Sequence, residues 1–247
     1  MARISIKGQL LGTVGPVAFR TYNGKAIAQS KPGRGNVKQT AATKSVASDF
    51  GSANTMSKKI RTAVIPILQH YAEPDMHRRL TTKIFEVLLT DTVHPKGSRK
   101  LSAGDVSLLE RFQFNTKTPY HKYCTLSPKI TYGTSQNIVL SLLSFDPKEV
   151  IKAIPDATDA ELCVLATAFD RETFEVTGSE IFKLAISLGG EAVGTQQWET
   201  AAGAENTLMV VAVALYYFKQ NGLVGMIGLN NKDMGPCEVL RVVSVGG

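Results

Sequence analysis

Cysteine is scarce in this 247-residue chain, and that narrows it first. Cys124, Cys163 and Cys237 are odd in number and widely spaced, and the opening charges are followed by no apolar core of a signal peptide. The chain therefore reads as one made without an export signal and carrying free thiols, not a disulfide framework. Long apolar runs are also missing. The longest, Leu208 to Phe218, covers 11 residues and stops at Lys219, against the roughly 20 that a membrane helix needs. No membrane span is expected, and a buried strand is the reading of that run in preference to a strand of a membrane barrel.

Signatures of chemistry are equally few. His121-x-x-Cys124 opens like half of a zinc site, but Cys163 and Cys237 sit in apolar strand patterns and no second close pair completes a tetrahedron. His70 and His77 flank Pro74 and do not share one helix face. Gly8, Gly12 and Gly15 lack the Gly-Lys-Ser/Thr ending of a phosphate loop. His121, Tyr123 and Cys124 form the one close group of reactive side chains, without a third residue to orient them. Asp156, Asp159 and Glu161 lie in a turn where carboxylates are usually just solvated. The sequence predicts no catalytic residue, no cofactor and no metal, hence a non-enzyme.

What is present begins with Asn23-Gly24. A type I′ turn needs positive φ at both central residues, and these two accept it, so a hairpin is predicted with Tyr22 opposite Lys25, Arg20 opposite Ile27, Phe19 opposite Ala28 and Val17 opposite Ser30. Two strands alone are marginal in water, so this ribbon must lean on its own chain or on a neighbour. Before it, Ile4 to Val14 reads as an arm hinged at Gly8, Gly12 and Gly15; after it, Lys31 to Lys38 reads as a basic linker.

From Thr43 the period turns helical. Val46, Phe50, Ala53, Ser57, Ile60, Val64 and Ile67 form one stripe, with a kink or restart expected at Pro66. A second helix begins near Glu73-Pro74-Asp75 and carries Met76, Leu80, Ile84 and Val87 or Leu88 inward. His94 to Lys100 is a loop, and Ser102-Ala-Gly-Asp105 would cap a short turn. Beyond residue 106 a period of two predicts strands at 111–115, 138–143, 162–169, 174–176, 181–188, 207–218, 223–229 and 237–245, the 218–223 connection turning at Asn221-Gly222. The expected fold is α+β: arm and hairpin over 1–42, a two-helix segment over 43–105, and an antiparallel immunoglobulin or fibronectin-III-like sandwich over 106–247.

The motifs Lys7-Gly8, Phe19-Arg20-x-Tyr22-Asn23-Gly24-Lys25, Lys31-Pro32, Ser48-x-Phe50-Gly51-x-Ala53, Ser144-Phe-Asp-Pro147 and Ala153-x-Pro155-x-Ala157-Thr158 span most of the chain. In these it resembles uncharacterised bacterial proteins of Bacteroidota type that lack a signal peptide. The resemblance implies an arm, helices and a fibronectin-like sandwich; it implies no activity and offers no catalytic residue.

Charge is distributed unevenly. Residues 1–129 carry 21 Lys and Arg against 7 Asp and Glu, and residues 130–247 carry 7 against 14, a balance of +14 and −7. Residues 1–61 hold eleven basic side chains and one acid, Asp49. Such a stripe would bind phosphates, which makes a nucleic-acid partner the second choice. The first is a copy of the chain itself. A hinged arm, a ribbon needing support and opposite charge at the two ends suit head-to-tail assembly into a filament or tube by strand donation. Phe19, Tyr22 and Ile27 would anchor that contact, with Arg20 and Lys25 facing acidic side chains of the neighbour.

Overall fold

A computed structural model describes residues 2–6, 8–22, 24–31, 38–69, 71–132, 137–201 and 206–245. Lys7, the turn residue Asn23, His70 and most of the expected linker, 32–37, lie outside the described residues. The chain divides into two compact units, 1–44 and 45–247.

In the first unit β1 (Arg3–Ile4), β2 (Leu10–Val14), β3 (Val17–Tyr22) and β4 (Lys25–Ser30) form a four-stranded antiparallel sheet in chain order. The hairpin has the expected register, Tyr22 opposite Lys25 through Val17 opposite Ser30. The stretch before it is a correction. Instead of a hinged arm, Leu10–Val14 is a paired strand, with Gly12 opposite Phe19 and Val14 opposite Val17. Gly15-Pro16 makes the connection: Gly15 has φ +54°, as the first position of a type II′ turn requires, and proline fixes the negative φ of the second.

The long helix α1 (Ala41–Leu68) leads into the second unit, followed by α2 (Met76–Thr90), β5 (Lys129–Tyr132), β6 (Ile138–Leu142), α3 (Pro147–Val150), β7 (Asp159–Asp170), β8 (Val176–Ser187), β9 (Gln196–Glu199), β10 (Thr207–Asn221), β11 (Gly225–Gly228) and β12 (Cys237–Val245). Pro66 neither kinks α1 apart nor restarts it. It sits in the final turn, where it removes only the one ladder bond to the Thr62 carbonyl and little helix remains to be broken, and Gln69 at φ +50° ends the helix with its N–H on the Ile65 carbonyl at 2.8 Å. The inner stripe runs through Ala53, Ser57, Ile60, Val64 and Ile67, but Val46 and Phe50 stay exposed. Asp49 takes the buried position instead: both its oxygens accept the Gly97 N–H at 3.0 Å and one accepts the Arg99 N–H at 3.3 Å.

Every strand pairing among the described residues is antiparallel, and with three helices the fold is α+β. A five-stranded sheet runs β11-β10-β7-β8, with β12 beside β10; a three-stranded sheet runs β5-β6-β9. Alternate residues of β7 and β10 enter different clusters. Leu165, Phe169, Val210 and Ala212 pack with the α1 and α2 stripes. Leu162, Val164, Val211, Val213 and Leu215 pack with Ile138, Leu140 and Leu142 of β6. Because β10 is covered on both faces, it reads as a continuous apolar run without alternation.

Three local expectations change. Residues 111–115 do not form a strand: Arg111 at φ +60° breaks the extension, leaving one bridge from Gln113 to Glu238. Phe174, at φ +56°, lies in a turn and stacks on Phe169 at 4.7 Å, so β8 starts at Val176. The β10–β11 connection is a three-residue loop, Asn221 pairing with Gly225, because the Asn221 carboxamide accepts the Leu223 and Val224 N–H groups and Gly225 supplies φ +79°.

Candidate functional site

Pairing in the first unit sorts its side chains onto two unlike faces. Opposite residues share a face, so Ile4, Leu10, Gly12, Val14, Val17, Phe19, Thr21, Ala26, Ala28 and Ser30 lie together. That face carries no charge. The reverse face holds Arg3, Leu11, Thr13, Ala18, Arg20, Tyr22, Lys25, Ile27 and Gln29. None of the described residues from 2 to 31 is buried; Ile4 is 72% exposed, Val14 58% and Tyr22 62%. An apolar sheet face of this kind, left in water, is the ordinary signature of an interaction surface.

The five residues singled out from the sequence are thus divided. Arg20, Tyr22, Lys25 and Ile27 share the basic face, and Phe19 stands on the uncharged one. Leu10 and Val14 extend the patch that Val17 and Phe19 begin. They were hidden in the sequence because glycines at 8, 12 and 15 look like hinges until the Gly15-Pro16 turn is recognised.

Comparison of the chain with protein-family models, with curated proteins and with solved structures finds no match in any of the three. What the chain can do must therefore be read from its own surfaces.

Part of the charge asymmetry is consumed within the second unit. Lys59 pairs with Glu175 at 2.5 Å, Lys100 with Glu172 at 2.5 Å, Lys117 with Asp233, and Arg241 with Glu110 at 3.3 Å. Three of these four join a base of the first half to an acid of the second. Among the described residues no ion pair includes Arg3, Arg20 or Lys25.

His121 and Cys124 line a cleft of about 770 Å³ in the second unit, with Arg111, Lys129, Glu238 and Leu240 among its other walls. The volume would suit a small molecule, but its chemistry is quiet. The Tyr120 hydroxyl donates to the Cys124 sulfur at 3.2 Å, and burial pushes the Cys124 thiol up, so at neutral pH it is a thiol and a poor nucleophile. Burial also raises the Glu238 carboxyl, against the pull of the Gln113 amide that donates to it and of Arg111 and His121. Cys163, which donates to Glu161 at 3.3 Å, is pushed up to about 12, mainly by burial, and Cys237 is raised for the same reason. Among the described residues no three His, Cys, Asp or Glu side chains group as metal ligands, and no helix is long and apolar enough to cross a membrane.

Proposed function

We propose that this chain is a non-enzymatic structural protein that assembles head-to-tail with copies of itself through its N-terminal sheet. The observation that carries the reading is a four-stranded sheet with one face free of charge and no described residue buried. Phe19 is the apolar anchor of that face; Tyr22 and Ile27 serve the other, where Arg20 and Lys25 meet acidic side chains of the neighbour. A fibronectin-III-like sandwich is the scaffold in this reading, supported by two antiparallel sheets sharing one apolar cluster.

Electron microscopy of the purified chain is the test. Fibres, tubes or rings are expected, and a Phe19→Asp, Ile27→Asp double variant should remain dispersed while keeping the thermal melt of the wild type. A wild type that stays monomeric at high concentration would end the proposal. Particles that dissolve on nuclease digestion would replace it with nucleic-acid binding through the basic N-terminal half, whose phosphate contacts also weaken steeply with salt.

A further inference from the structure

The second unit carries an apolar surface that its core does not use. The loop joining β10 to β11 holds Leu223 at 97% and Val224 at 70% exposure, with Met226 and Ile227 also exposed beside them. No charge occurs between Lys219 and Lys232. The loop has a defined shape. The Asn221 carboxamide accepts the N–H groups of Leu223 at 2.9 Å and Val224 at 3.3 Å, which holds both side chains at the tip of the hairpin.

We infer that this hairpin tip of one copy docks on the uncharged face of the N-terminal sheet of the next. The inference rests on the self-assembly proposed above and names the surface that receives the sheet. Charge argues for the pairing. The face around Val14, Val17 and Phe19 offers no counter-charge, so a charged occupant would bury its charge unpaired, whereas the tip brings none.

Area argues against the simplest alternative, two faces packed on each other. The four strands hold 2, 5, 6 and 6 residues, and at about 4.8 Å between strands and about 3.4 Å per residue they cover about 310 Å². Two such faces would bury about 600 Å² in a contact that joins only two copies, short of the roughly 1,200 Å² of a stable pair. They would also leave Leu223 and Val224 in water. A single tip-on-face contact is no larger, but it is heterologous: a joined pair still has one free tip and one free face, so every internal subunit is held by two contacts and growth does not stop at two.

Sedimentation velocity of full-length variants, alone and mixed, tests this. Leu223→Asp with Val224→Asp removes the tip at residues so exposed that folding is not at stake; Val14→Lys removes the face, and Phe19→Thr does so while keeping a residue suited to a strand. Each variant alone should be monomeric at concentrations where the wild type sediments as large species. An equimolar mixture of a tip variant and a face variant should give a 1:1 dimer and nothing larger, because one intact face and one intact tip remain. If the tip variant assembles like the wild type, or if both variants are monomeric and their mixture stays so, the inference is wrong while self-assembly stands. A wild type that never sediments above the monomer overturns both.

Discussion

The N-terminal sheet and the body of the chain are both antiparallel β-structure, yet they are specified by different means. Within 2–31 no described residue is buried, and the register follows from turn chemistry at Gly15-Pro16 and at Gly24, with φ +77°, between Tyr22 and Lys25. Within 45–247 the strands β7 and β10 are buried along most of their length, on both faces. A fully buried aliphatic side chain stabilises by about 1.5 to 3 kcal/mol, so the body holds its own shape by packing. The sheet of residues 2–31 has no such packing, and its apolar side chains are the surface proposed to meet a neighbour.

The largest loss is expected at β12. It supplies Cys237, Val239 and Val242 to the helix-side cluster, and removing residues 237–247 should abolish the cooperative thermal melt; an undiminished melt would mean that the body does not depend on its closing strand. Leu215, fully buried against β6, comes next. Leu215→Ala should lower unfolding free energy by about 2 to 5 kcal/mol in urea titrations.

Acid should weaken the body in a smaller and specific step. Asp91 lies buried at the end of α2, and its carboxylate accepts the N–H groups of Val93, His94 and Lys100. Burial alone would raise its pKa, but these bonds outweigh it and hold the group at about 2, against 3.8 for a free side chain. A depressed pKa stabilises above the unfolded value and is lost as pH falls through the folded one, so about 2 kcal/mol should disappear between about pH 4 and pH 2. The stability gap between the wild type and Asp91→Asn should shrink over that window; a constant gap would contradict the assignment. The smallest effect belongs to the sheet. Val14→Ala should move the main melt by less than about 0.5 kcal/mol, since Val14 is exposed.

Much of this organisation is legible in the sequence, and the gaps have physical reasons. The hairpin register, the α2 stripe and the span of β12 follow from local rules: a two-residue turn, a 3.6 period and a period of two. The pairing of Leu10–Val14 escaped notice because glycine marks both hinges and turns. Residues 111–115 alternate like a strand, but the positive φ of Arg111 is set by tertiary packing along Val239, not by its own side chain. Asp49 displaced Phe50 from the helix stripe because its partners, Gly97 and Arg99, are almost fifty residues away. The layering of helices on one face of the five-stranded sheet and β6 on the other is likewise invisible in a run such as Leu208–Phe218, which shows only that both sides are covered. At the candidate interface Phe19 follows from its hairpin, while Leu223 and Val224 have the pattern of strand residues and their exposure is visible only in the fold.

One thiol can report on whether neighbours cover the uncharged face. Cys124, Cys163 and Cys237 are buried, with thiols pushed up by burial, so they should label slowly. Ala28→Cys places an exposed thiol beside Phe19 on that face. Its labelling rate, measured from nanomolar to high micromolar protein, should fall at least about tenfold as neighbours cover the face, the protected fraction following. A rate that stays the same across the whole range would contradict the account.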